Sequence, residues 1–241
     1  MRIIAAAAAA LIVSAASFSD TSTYPQPLAD ALTLGYDAPD DAVWRFTMRV
    51  SMNGDAMELR FDGAQADGEE WTLISPASPD SLSGELADMW VDMNTPDDDD
   101  DGDEGRSISV GSGGGLFFTS ETARMIAGNV ERTSGGGYTF SPDLDPESDE
   151  ADAMAEHLSG ELSLASAGHV DRIRIFAPSS FKPNPAARVH EFEMVMDFQR
   201  FEGLPAPVMT SMSTVVDVSA LFQRQQQSVR FEFSDVEYVE P

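Results

Sequence analysis

Between residues 43 and 63 the chain reads VWRFTMRVSMNGDAMELRFDG, and apolar and polar residues alternate through most of it. Trp44, Phe46, Met48, Val50 and Met52 are separated by Arg45, Thr47, Arg49 and Ser51. Successive side chains leave a strand on opposite faces, so a repeat of two predicts a strand with one face buried. Asn53-Gly54 follows, a pair that tolerates the positive φ angles of a two-residue hairpin turn. The chain returns with Met57, Leu59 and Phe61 apolar against Glu58, Arg60 and Asp62. With the tip at Asn53-Gly54, Val50 meets Met57, Met48 meets Leu59 and Phe46 meets Phe61. On the other face Arg49 meets Glu58 and Arg45 meets Asp62. A slip of one residue would set apolar side chains against polar ones, so turn and pattern specify one register.

Elsewhere the pattern predicts further strands and a few short helices. PLADALTLGYD, residues 27 to 37, reads as a helix opening at Pro27. Trp71 to Ser75 is a strand closed by Pro76. In PDSLSGELADMWVDM, Leu82, Leu86, Met89, Trp90 and Met93 share one helical stripe, with Asp80 or Ser81 as cap. Ser120 to Gly128 is a short helix, and NVERTSGGGYTFSP is two short strands around a glycine turn. Residues 154 to 165 admit helix or strand, with strand favoured from His157 onward. Arg172 to Phe176, Val189 to Phe201 and Met209 to Phe222 are strands, and APSSFKPNPAA reads as a proline-rich linker. Phe192, Met194, Met196 and Phe198 share one face. Val229, Phe231 and Phe233 alternate, but Val236 and Tyr238 have the other parity, which a bulge near Ser234-Asp235 restores. The expected fold is mainly β (α+β), an antiparallel meander of about eight to ten strands with two or three short helices. Its apolar face must be covered by those helices or by the antiparallel sheet curving on itself.

The chain opens MRIIAAAAAALIVSAAS: one Arg, an apolar run from Ile3 to Val13, then small residues. That run is shorter than the roughly 20 residues a spanning helix needs, so residues 1–17 read as a secretory signal cleaved after Ala16 or Ser17. Residues 18–241 then form a single β-rich domain with acidic loop insertions near 94–115 and 141–152. There is no cysteine. No site for lipid attachment exists at the cleavage point, so the expected product is a periplasmic protein, exported and not lipid-anchored. Forty-two acids face 14 bases, and Lys182 is the single lysine. The net charge of −28 repels nucleic acid and anionic membrane surfaces. It suits solubility in a salty compartment, or docking of a basic protein partner.

Candidate chemistry is sparse. TPDDDDDGDEG at residues 95–105 places Asp97, Asp99 and Asp101 before Gly102, the opening of a calcium loop. The bidentate glutamate that should close that loop is replaced by Ile108, and adjacent acids repel, so a solvated spacer is the favoured reading over a calcium site. Ser179-Ser180-Phe181-Lys182 spells S-x-x-K, whose chemistry needs a helix. Pro178, Pro183 and Pro185 deny it one, leaving Phe181 as a loop anchor and Lys182 in water. GSGGG at 111–115 lacks the Lys-Ser/Thr of a phosphate loop. His157, His169 and His190 have no ligand spacing. The chain is therefore not expected to be an enzyme, and no cofactor is implied.

The layout of a secreted chain with an opening helix, long antiparallel hairpins, interrupting amphipathic helices and returning strands resembles the periplasmic lipoprotein-carrier superfamily, the LolA, LolB and RseB-like half-barrels. GHVDRIRIFAPSSFKPNPAARVHEFEMVMDF also looks like uncharacterised envelope proteins of alphaproteobacteria. The resemblance implies a curved sheet wrapped around an apolar cavity. The residues supply their own case, because methionine adapts to loosely defined apolar surfaces. The candidate ligand-binding face is Trp44, Phe46, Met48, Met52, Met57, Phe61, Trp90, Phe192, Met194 and Met196. Such a face is either a cavity for an apolar or acyl ligand or a filled core. The second alternative makes the chain a non-enzymatic envelope interaction or scaffold protein with an acidic docking surface.

Overall fold

The computed structural model describes residues 24–36, 42–66, 68–95, 116–126, 129–143, 154–184, 186–220 and 223–239. The expected signal, the aspartates of the calcium-like loop and the GSGGG run lie outside the described residues. Eleven strands and three short α-helices are described, and every strand pairing in register is antiparallel. The fold class is the one that the alternation predicts, with more strands than the eight to ten expected.

The chain divides into two compact units. The first contains β1 (Val43–Met52), β2 (Asp55–Asp62), β3 (Trp71–Ser75), α2 (Gly84–Met93) and the later part of β11 (Gln223–Val239). Its strands lie in the order β3-β2-β1-β11. The β1–β2 register is the expected one at every position, including Phe46 with Phe61 and Arg45 with Asp62. Asn53 and Gly54 have φ of 53° and 103°, the left-handed turn that fixes it. On β11 the register with β1 shifts between Arg45 and Thr47, and Asp235 has φ 52°. This is the bulge read from the parity change. It lets Phe231, Phe233 and Tyr238 meet Val50, Met48 and Trp44 on one face.

The second unit contains α1 (Gln26–Leu32), α3 (Ser120–Arg124), β4 (Glu131–Arg132), β5 (Tyr138–Phe140), β6 (Ser159–Leu164), β7 (Val170–Phe176), β8 (Phe181–Asn184), β9 (Ala187–Gln199) and β10 (Val208–Ala220), with the start of β11. Its order is β10-β9-β7-β6-β5-β4, and β8 pairs with β9. Leu28, Ala31, Leu32, Phe117, Phe118 and Ile126 are all buried. The Phe118 ring meets Phe198 of β9 edge-on at 5.5 Å.

Three local expectations are corrected. The first helix stops at Leu32 rather than running to residue 37. The Leu34 and Gly35 amides tighten onto Ala31 and Leu32, and Tyr36 N–H donates to the Phe118 carbonyl instead. The second helix begins at Gly84, so Leu82 is outside it and neither Asp80 nor Ser81 caps it. Ser83 is extended and Gly84 has φ 57°, which separates the helix from a 3₁₀ turn at Pro79–Ser81. The expected linker contains β8. Phe181 pairs with Val189 and is buried, and Pro183 is accommodated because a strand on the margin of a sheet has backbone donors to spare.

Candidate functional site

The candidate apolar residues fall in both units. In the first, Trp44, Phe46, Met48 and Met52 project from β1 and Met57 and Phe61 from β2, and all six are buried. Their alternation puts them on one face. Phe61 and Trp71 lie with ring centroids 4.9 Å apart, Phe46 meets Trp71 edge-on at 5.7 Å, and Trp44 lies 4.4 Å from Tyr238. Trp90 sits apart from the strands on α2 and is half-buried. In the second unit Phe192, Met194 and Met196 are buried on β9. Across them on β10 stand Val216, Thr214 and Met212.

Sequence reasoning left out Trp71 and Phe233, whose rings meet Phe46, and Phe231, which stands opposite Val50. The Phe46 and Phe233 rings meet edge-on at 6.0 Å. Alternation identified their strands, but only pairing of β11 with β1 and of β3 with β2 brings Phe233 and Trp71 to Phe46.

The first unit's apolar face is closely covered, with Trp44, Phe46, Met48, Val50, Met57, Leu59 and Phe61 each at most 2% exposed, and α2 supplies little of that cover. α2 packs against β2, and Asn53 Nδ2 donates to Glu85 Oε2 at 3.3 Å. Leu86 is the buried residue of α2, Met89 and Trp90 are half-buried, and Val91 is 60% exposed. Burying one leucine contributes about 1.5–3 kcal/mol. That is little against the surface of the strands it accompanies.

The polar faces are organised by arginine. Arg45 binds Asp62 at 2.9 Å. Burial pushes the Asp62 carboxyl up, but hydrogen bonds from Arg45, the Ala64 N–H and Gln65 outweigh it and hold it below the usual range. Arg174 binds Glu193 at 2.6 Å and Glu161 at 3.0 Å, which raises the guanidinium further. Arg224 clasps both oxygens of the buried Asp217 and holds that carboxyl down. His190 Nε2 lies 2.9 Å from Ser219 Oγ. His157 stacks on Phe181 at 4.6 Å, so Phe181 anchors its segment while Lys182 is exposed, as expected. Ser179 to Lys182 have no helix beneath them, in keeping with the rejection of the S-x-x-K motif. Among the described residues no helix is long and apolar enough to cross a membrane.

No family model matches this chain, and no curated protein matches it. Among solved structures, a LolA superfamily protein from Nitrosomonas europaea is similar at 8% identity. The match covers 90% of this chain and 93% of that one, with a TM-score of 0.32. A likeness of that size bears no argument about ligand or mechanism.

Proposed function

We propose that this chain is an exported, non-enzymatic periplasmic protein that holds an apolar or acyl ligand against the methionine and aromatic faces of its strands. The observation that carries the reading lies in the first unit. Met48, Met52 and Met57 share a buried face with Trp44, Phe46 and Phe61. An acyl chain would have to displace side chains packed on that face, and methionine is the side chain that adapts most readily to such repacking. Phe192, Met194 and Met196 offer the same chemistry in the second unit.

The test is native mass spectrometry of the mature protein, followed by titration of delipidated protein with a fluorescent fatty acid. A bound apolar mass, and titration weakened by Met48→Lys but not by Arg132→Ala, supports the reading. Absence of both contradicts it.

A second reading has its own observation. Arg45, Arg172, Arg174, Arg224 and Arg230 are engaged with carboxylates, and the chain's 42 acids still far outnumber its 14 bases. The excess acid remains available to a basic protein partner. Steep loss of partner binding with added salt would favour this scaffold role.

A further inference from the structure

The polar face of the second unit carries a hollow of about 340 Å³ that the apolar reading leaves unused. Strand register builds it. Glu131 on β4 stands opposite Thr139 on β5, Thr139 opposite Glu161 on β6, and Glu161 opposite Arg174 on β7. Two residues along, on the same face, Ser159 stands opposite Phe176. Neighbours in register on the other face are Tyr138, Leu162 and Ile173, all buried. The row Glu131–Thr139–Glu161 therefore faces water.

Two features prepare this hollow for a ligand. Arg174 fixes two of its walls at once: its guanidinium pairs with Glu161 and lies 4.0 Å above the Phe176 ring, while Glu193 holds it from behind. Neither wall has to be ordered on binding, which lowers the cost of association. The carboxylates of Glu131 and Glu161 rise from strands with one strand between them, about 9–10 Å apart at the backbone. Thr139 forms the floor of the gap, and Asn129 and Ser159 extend it.

The lining selects a chemical class. Carboxylates accept, the Ser159 hydroxyl and the Asn129 amide both donate and accept, and the Thr139 hydroxyl, which donates to the Glu131 carbonyl at 3.5 Å, accepts. Phe176 adds an apolar edge. An apolar ligand would desolvate the Glu131 carboxylate and the Glu161–Arg174 pair without repayment. A bare cation would make no use of the hydroxyls or the ring. A polyol with C–H faces uses all of them. We propose that this hollow binds a saccharide of one or two rings, and that the Glu131 carboxylate favours an amino sugar by pairing with its ammonium, while Glu161, already held by Arg174, accepts from a sugar hydroxyl.

The test is amide NMR of the full mature protein titrated with glucosamine, glucose and ethanolamine. Saturable shifts around Thr139, Glu161 and Phe176 with both sugars, stronger for glucosamine, support the site. Glu131→Gln should weaken glucosamine binding about tenfold, bringing it near glucose, while Glu69→Gln on the first unit changes nothing. Ethanolamine acting as well as glucosamine would show only attraction to an acidic surface and overturn the proposal. So would the absence of sugar-induced shifts at tens of millimolar. If Glu131→Gln does not fold, the sugar-against-ethanolamine comparison on the unaltered protein decides alone. An apolar ligand on the opposite face leaves each of these outcomes unaffected.

Discussion

Phe46 and Phe61 stack across β1 and β2 with ring centroids 4.9 Å apart and planes inclined by 29°. Each is buried, and Trp71 and Phe233 close around Phe46. The pair exists because the Asn53-Gly54 turn sets a register that brings two apolar positions opposite each other. Truncating Phe46 to alanine should cost about 3–5 kcal/mol. Urea unfolding of Phe46→Ala measures this, and a change under about 1 kcal/mol would show that the ring is not packed as described.

Gly160 is required by its cross-strand partner. A Cβ at that position would overlap the Phe140 ring, which lies over the glycine from β5. Gly160→Ala should destabilise by about 1–3 kcal/mol through overpacking. Adding Phe140→Leu to Gly160→Ala should cost less than the sum of the two single changes, because residues in contact do not act additively. Full additivity in a thermal or urea double-mutant cycle would contradict the contact.

His169 predicts a pH dependence near neutrality. It is 6% exposed, and its Nδ1 has no protein partner. Burial pushes the imidazole below its ordinary value of 6.5; Asp171 opposes this and Arg200 reinforces it. The unfolded chain therefore binds the proton more readily than the folded one. The contribution is fully present above about pH 6.5 and is lost as pH falls from there through the folded value. His169→Leu should flatten the slope of urea midpoint against pH between about 7 and 5. An unchanged slope would remove His169 as its source.

Asp62 acts lower on the scale. Its carboxyl is held below the ordinary 3.8 in the folded chain. The stability it contributes is present above that value and is lost as pH falls through the folded one. Asp62→Asn should reduce the acid sensitivity of unfolding below about pH 4, leaving the slope near pH 6 in place. Loss of the slope near pH 6 instead would assign it to the Arg45–Asp62 pair rather than to His169.

What could be read from residues alone were features settled within a few positions. The β1–β2 register follows from alternation and one turn, and the β11 bulge from a change of parity at Ser234-Asp235. In the second unit the buried face of β9, Phe192 to Phe198, was likewise legible from a period of two. The start of α2 was not, because its apolar stripe continues back to Leu82 while Ser83 and Gly84 adopt backbone angles that stop the helix. Composition also hid β8. Prolines argue for a linker, and only the partner strand β9 gives Phe181 something to be buried against.

The amino-acid sequence by itself determined which residues turn inward, where the β1–β2 hairpin folds, and that the chain is acidic and β-rich. Tertiary structure alone decided which distant strands become neighbours: β1 beside β11, β7 beside β9, and β4 at the end of its row next to β5. Those choices gather Phe231 and Phe233 around β1 and set Glu131 two strands from Glu161. The reason is physical. Hairpin pairing is rewarded by contacts a few residues away, whereas closing a long loop costs only slightly more than closing a shorter one. Sequence separation therefore barely discriminates among distant partners. The total apolar surface buried and the fit of side chains across each pair make that choice.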